Sequence, residues 1–353
     1  MKKYILSKEE KSRIDIIKFI AIIFVVYIHS YYTSSIEGES MILSSWLIIY
    51  QKTISSLIAR CGVPIFFLIS AILFFSKERK YSSVIKSKLK TIVIPYLFWN
   101  TFWITIWIFL QQIALTKNYF GVNDNILNKD IAGLLHLYGI GQVFPAYPLD
   151  YPLWFMRDLF IIFLISPLLK LVISKFTKTS FLIGVIMTFL PDFWFKTVLS
   201  YFLIGGSVVY LDFHFTILDK ISLSKLSLGY FGFILILILM LIFEFPFRNV
   251  VINFFVLFSV LFWFRVSKKI YDCKRIRLCF LRLSNYTLII YVFHEMTLSC
   301  VKKVTLKLFP TSDLFIFMEY NIVPLIVIVV CILVGMMMKK NFPKIYSISM
   351  GGR

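Results

Sequence analysis

Charge is scarce in this 353-residue chain. Asp, Glu, Lys and Arg make up 16% of it, while 59% is hydrophobic and mean hydropathy is +0.84. An average soluble domain carries about 25% charged residues and about 45–50% apolar ones, so no water-soluble fold could hide this surface. Acidic residues are scarcer still, 18 against 38 Lys and Arg, giving a formal charge of +20. The five cysteines (Cys61, Cys273, Cys279, Cys300, Cys331) form no CxxC pair and have no His at zinc spacing. That excludes a metal site and a disulfide framework as readings of the sequence. There is no Walker motif, GxSxG elbow, dinucleotide fingerprint or HExxH, which removes the commonest nucleotide, hydrolase and metalloprotease signatures. Internal repeats and Gly/Ser linkers are missing too, so residues 1–353 read as one membrane domain without an appended soluble one. No small-residue cleavage site follows the basic N-terminus, which is expected to lead a retained first helix rather than a signal peptide.

What the chain does have is apolar runs. They lie near residues 14–32, 57–75, 92–112, 153–173, 180–195, 197–211, 227–245, 250–266, 284–300 and 321–338. Most are long enough to cross a core of about 30 Å at about 1.5 Å per residue. The expected fold is therefore all-α, a polytopic bundle of about ten transmembrane helices. Of the 38 basic residues, 27 fall before Ile14, in Lys77–Lys90, in Lys170–Lys178, at Lys220 and Lys225, in Arg265–Arg282 and after Met338. Positive charge marks cytoplasmic loops, so both termini are expected in the cytoplasm, and the basic excess orients a membrane protein instead of binding nucleic acid. Aromatic residues, 18% of the chain, suit lipid-facing helices and interfacial belts. The longest outward loop, Gln112 to Pro152, is positioned to cover an outward-facing site.

Ionisable groups inside a bilayer helix are costly, at least about 2.5–3.5 kcal/mol at its centre, and so are the first functional candidates. The first run, RIDIIKFIAIIFVVYIHS, contains Arg13, Asp15, Lys18 and His29. Lys18 and His29 are eleven residues apart, about 16 Å along one helical stripe, with Asp15 within about 40° of it. The cation would lie towards the cytoplasm and the imidazole in the outer half. The structural alternative is that Lys18 snorkels to the headgroups and His29 sits at the interface. The second run has Arg60 at its outer end and Ser70 deep inside. The fourth begins YPLWFMRDLF, where Trp154 fits an aromatic belt. Arg157 and Asp158 are adjacent there, about 100° apart on the helix, and are not expected to pair face to face. The ninth, SNYTLIIYVFHEMTLS, places Tyr291 one turn before His294 and Glu295, a carboxylate beside a second outer-half imidazole. His136 and His214 fall in expected loops and receive no role.

In their order these segments resemble the acyltransferase 3 family, bacterial membrane proteins that move acyl groups from a cytoplasmic thioester to carbohydrate outside. The likeness lies in the basic residue eleven positions before a histidine (Lys18, His29), in RCGVPIFFLISA, PLWFMRDLFIIFLISPLL and YFLIGG, and in SNYTLIIYVFH, covering most of the chain. Two positions depart from the family pattern: Lys18 stands where many members have Arg, and Ala71 replaces the usual Gly after Ser70. Lys lacks the bidentate fork that grips phosphate. The resemblance implies a multi-pass protein of the bacterial plasma membrane with no permanently bound cofactor and no metal, using acetyl-CoA or another acyl-CoA as co-substrate. It implies His29, His294 and Glu295 as the catalytic group and Lys18, Arg60, Ser70, Trp154, Arg157 and Tyr291 as donor- or substrate-binding residues. Its implied partners are membrane lipid, a cell-surface glycan acceptor such as a capsular or exopolysaccharide, and either further copies of the chain or polysaccharide-assembly proteins. Some members carry an extra esterase-like domain, which the short basic tail IYSISMGGR leaves no room for here. The rival class is a transporter or flippase for a lipid-linked glycan, against which stands the absence of an inverted repeat.

Overall fold

A computed structural model describes residues 4–32, 35–36, 39–40, 43–113, 125–141, 146–309 and 312–352. The described residues are mainly helical, with a two-residue antiparallel ladder, β1 (Ser35–Ile36) with β2 (Glu39–Ser40), and an isolated bridge between Tyr138 and Pro148. Along the chain run α1 (Lys8–His29), α2 (Ser45–Gln51), α3 (Gly62–Phe75), α4 (Tyr81–Lys88), α5 (Ile94–Gln112) and α6 (Ile131–Leu137). They are followed by α7 (Trp154–Leu164), α8 (Ser166–Lys175), α9 (Thr177–Met187), α10 (Lys196–Tyr210) and α11 (Leu223–Ile242). The last five are α12 (Arg248–Asp272), α13 (Lys274–Ser284), α14 (Thr287–Leu308), α15 (Asp313–Asn341) and α16 (Pro343–Ser349). Much of the expected outward loop, residues 114–124 and 142–145, lies outside the described residues.

Among the described residues, five stretches are long and apolar enough to cross a membrane: Ser45–Phe75, Tyr81–Gln112, Leu223–Ile242, Arg248–Asp272 and Asp313–Asn341. A sixth arises if α13 and α14, bent by 65° at their junction, form one broken span. Two of these stretches contain π-helical segments, Lys52–Ile58 and Leu89–Val93. The run at 153–173 is broken at Ile165, just before Pro167, because proline forfeits a backbone donor and crowds the preceding turn, and so it yields α7 and α8. The run at 180–195 gives the shorter α9, and that at 197–211 gives α10, 15 residues long.

The residues fall into two compact units. The first comprises Met1–Glu78, Leu168–Asp192 and Lys196–Leu333. Its α1 starts at a capping box in which the Ser7 hydroxyl accepts from the Glu10 amide and the Glu10 carboxylate from the Ser7 amide, satisfying two of the amides a helix start leaves open. The apolar side of α1 (Phe19, Ile22, Val25, Val26) packs on Ile290 and Leu298 of α14 and on Val323, Val327 and Ile328 of α15. Lipid tails are as apolar as these side chains, so close packing and polar links have to hold such helices together. The α3–α10 seam shows how: a Cβ on Gly205 would lie 2.7 Å from the Ala71 Cβ and 3.0 Å from the Leu68 carbonyl. The YFLIGG segment is thus a small-residue packing surface, and Ala71 is accommodated by the glycine opposite.

The second unit comprises Arg79–Pro167, Phe193–Phe195 and Val334–Arg353. Within it α16 folds back on α5, with the Trp99 indole N–H donating to the Ser349 carbonyl at 3.1 Å. Gly351 then turns with φ +69°, where a Cβ would meet the Thr91 Cα at 2.7 Å; only glycine fits both constraints.

Candidate active site

The polar stripe of α1 resolves into three stations. At its N-terminal end Arg13 is fully buried. Its guanidinium donates to both carboxylate oxygens of Asp219 at 2.7 and 3.0 Å, to Ser267 Oγ at 3.0 Å, to the Phe264 carbonyl at 2.8 Å and to Glu9 at 3.3 Å. It also lies 5.0 Å from the centre of the Phe215 ring. Every direction of the fork is used, the bidentate geometry arginine suits best. Beside it the buried Glu10 accepts a hydrogen bond at 2.7 Å from Nδ1 of His214, whose ring stacks on Tyr4 at 4.4 Å. Burial, then the charges of Glu10 and Asp212, hold the Tyr4 phenol well above its ordinary pKa. One turn further, Lys18 pairs with Asp15 at 3.1 Å, both side chains partly exposed. The basic residue expected to meet an anionic donor is therefore engaged by a carboxylate.

At the C-terminal end of α1, His29 meets His294 of α14 edge to face, ring centres 5.2 Å apart. The first and ninth runs, read separately in the sequence, meet here. His294 is fully buried, and its Nδ1 lies 2.8 Å from the Tyr291 carbonyl and 3.0 Å from the Ile290 carbonyl. Carbonyls only accept, so Nδ1 bears the proton and Nε2 keeps the lone pair. That Nε2 is buried with no hydrogen-bond partner among the described residues. Tyr291 sits with its ring 6.4 Å from the His294 ring, and Glu295 accepts from Ser299 Oγ at 3.4 Å.

The remaining expected residues lie elsewhere. Arg60 lies in the middle of a 3-10 turn (Ala59–Cys61) in the first unit, exposed, its charge felt by the Tyr201 hydroxyl. Ser70 is half-buried on α3, next to the Ala71–Gly205 contact. Trp154 and Arg157 belong to the second unit. There Arg157 does pair with Asp158, Nε to Oδ1 at 2.9 Å, against the expectation from their 100° separation. The long arginine side chain curls back where the Cβ direction alone would not take it. Its other donors reach the Gly139 carbonyl at 3.2 Å and the Ala146 carbonyl, so it pins the chain before α7, and Trp194 donates to the same Asp158 at 3.3 Å. His136, read as a loop residue, is in α6, whose start is set by Asp130 accepting from the Gly133 amide at 2.7 Å.

Sequence reasoning missed the groups that surround the histidine pair. Lys302 of α14 donates to the His29 carbonyl at 3.4 Å and the Tyr31 carbonyl at 3.2 Å, with Nζ 4.2 Å from the centre of the Tyr32 ring. Buried Glu319 of α15 accepts from Thr305 Oγ, and the buried Gln51 accepts from the Tyr32 amide at 2.8 Å. The seven-residue spacing of Glu295 and Lys302, two helical turns, was the available signal. It went unused because the apolar run ends near residue 300, whereas α14 continues to Leu308.

Membrane-crossing helices among the described residues, with an imidazole pair where α1 meets α14 and the His294 ring buried, define a multi-pass membrane protein with a candidate site inside the bundle. Residues 11–340 match the acyltransferase domain family Acyl_transf_3, and the chain belongs to that family. Among curated proteins it is similar to the succinoglycan biosynthesis protein ExoH of Rhizobium meliloti, 27% identical over 186 residues. The aligned part is 51% of this chain and 48% of that protein, so the chain spans about half the length of the curated relative it matches. No solved structure matches.

Proposed function

We propose that this protein is a membrane-embedded O-acyltransferase of the bacterial plasma membrane that transfers an acyl group, acetyl from acetyl-CoA, to a hydroxyl of an extracytoplasmic or lipid-linked polysaccharide. Family membership supports acyl transfer, and the name of the relative supports a polysaccharide as the acceptor. The observation that carries the reading is the His29–His294 pair inside the bundle.

In this reading neutral His29 removes the proton from the attacking sugar hydroxyl as its oxygen bonds to the thioester carbonyl carbon. The tetrahedral intermediate then collapses, the carbon–sulfur bond breaks, and the imidazolium returns the proton to the departing CoA thiolate. His294, with Nδ1–H tied to its own helix, holds a fixed ring edge to face against His29 and orients it by packing. Lys18, about 16 Å away along α1, takes the donor's anionic end by exchanging Asp15 for a phosphate.

The test is a transfer assay in nanodiscs with labelled acetyl-CoA and a lipid-linked glycan extract, comparing wild type with His29→Ala. Label in the glycan and release of CoA, both lost in the variant, are expected. Transport of the glycan without consumption of acetyl-CoA would refute the enzyme and favour a flippase.

A further inference from the structure

We propose that Lys302 is a positioning residue, a clamp from α14 that holds the last turn of α1 and so sets the His29 imidazole against His294. This rests on the acyltransferase reading and deepens it.

A helix leaves its last four carbonyls without intrahelical partners, and the turn that bears His29 is such an end. The Val26 carbonyl accepts from Ser30 Oγ at 2.8 Å, and the Tyr27 carbonyl accepts from Ser55 Oγ at 2.6 Å. The His29 carbonyl and that of Tyr31 beyond it accept from Lys302 Nζ. Two side chains from other elements, Ser55 and Lys302, therefore grip this turn. Lys302 grips the backbone of the histidine itself.

The ammonium suits the task. A cation at a helix C-terminus meets the negative end of the macrodipole, and the Tyr32 ring face gives it a second attraction. Its charge is balanced by Glu319 of α15 and by Glu295, two turns earlier on its own helix. Because His294 precedes Lys302 by eight residues on the same helix, the element that carries one imidazole also holds the backbone of the other. Any shift of α14 along α1 has to break the Lys302 contacts before it separates the imidazoles, so the clamp resists displacement of the pair.

The experiment compares wild type with Lys302→Met, Lys302→Arg and, as a control for charge alone, Lys303→Met, in nanodiscs with labelled acetyl-CoA and the glycan extract. Misplacing a reacting group by about 1 Å costs roughly 100-fold. Lys302→Met is therefore expected to lower kcat about 100-fold while KM for acetyl-CoA changes less than about threefold. Lys302→Arg, which restores donors to the two carbonyls, is expected to recover most of kcat, and Lys303→Met to stay near wild type. Histidine-specific 15N labelling supplies a readout without turnover: the imidazole signal of His29 should broaden or shift in Lys302→Met and return in Lys302→Arg, with His136 and His214 unmoved. An unchanged kcat, an equal loss in Lys303→Met, or an unmoved His29 signal overturns the clamp. Should wild type show no turnover, the functional reading falls, and the His29 signal alone still decides whether Lys302 holds it.

Discussion

The two ends of α1 are both polar, and they are built differently. At the N-terminal end Arg13 is saturated: five hydrogen-bond contacts to four residues, a bidentate carboxylate and an aromatic face leave it no capacity for a ligand. At the C-terminal end two imidazoles face each other, one with a buried nitrogen lone pair that nothing among the described residues engages. A saturated buried cluster is architecture, since changing any member leaves a charge stranded. An unsaturated one retains unspent hydrogen-bonding capacity, as a site for substrate must. The difference teaches that burial of charge in a bundle does not by itself mark a site; what marks it is capacity left over after the protein's own groups are paired.

The sharpest way to break the comparison is to exchange the effects of the two ends. His29→Ala should lower kcat for acetyl transfer by about 10³-fold, within the 10²–10⁴ range of general-base catalysis, with little change in the thermal midpoint of the protein in nanodiscs. Arg13→Ala should do the reverse. Stranding Asp219 and the Ser267 hydroxyl costs about 3–5 kcal/mol, read as a large drop in folded yield and thermal midpoint, while molecules that do fold turn over at near wild-type rate. If Arg13→Ala instead folded normally and lost donor binding, the distinction between saturated and unsaturated ends would fail.

A smaller effect comes from the seam between α3 and α10. Gly205→Ala forces a Cβ to 2.7 Å from Ala71, an overpacking expected to cost about 1–3 kcal/mol. Ala71→Gly opens that space, so the double variant should regain most of the loss in a thermal-melt cycle. Independent, additive losses would show that the helices move apart elsewhere to relieve the contact.

The helical class and the stripe of α1 were legible in the sequence because periodicity and the cost of intramembrane charge both act locally. The meeting of His29 with His294 was legible only as two outer-half histidines, since nothing local joins positions 265 residues apart. Arg13's role was hidden for the same reason: its carboxylate partner is 206 positions away. Lys302 escaped because hydropathy ends a span where apolar residues end, while a helix continues as long as its backbone bonds do. Arg157 was misjudged because the 100° rule describes Cβ directions, and the reach of three methylenes to Nε overrides it. The extent of the spans was blurred by Pro167, which breaks a helix without changing composition, and by the π segments, through which shorter helices continue as one span.

Between the two ends lies Lys18, and it tests the comparison at its weakest point. Its pair with Asp15 is partly exposed on both sides, and such pairs contribute only about 0–1 kcal/mol. Asp15 is thus easily displaced by a better anion, and a phosphate of acetyl-CoA with more charge is one. Replacing Asp15 by Asn leaves Lys18 unengaged, so Asp15→Asn should lower KM for acetyl-CoA by about two- to fivefold, the range that about 0.4–1 kcal/mol allows. Lys18→Ala should raise it by a similar factor, with kcat held because His29 is about 16 Å away. Lys18→Arg should bind the donor at least as well, since its fork holds both the carboxylate and a phosphate. Steady-state kinetics at several ionic strengths would read all three, with the differences shrinking as salt screens them. If Asp15→Asn raises KM instead, Asp15 holds Lys18 in its working position, and the middle of α1 belongs with the saturated end.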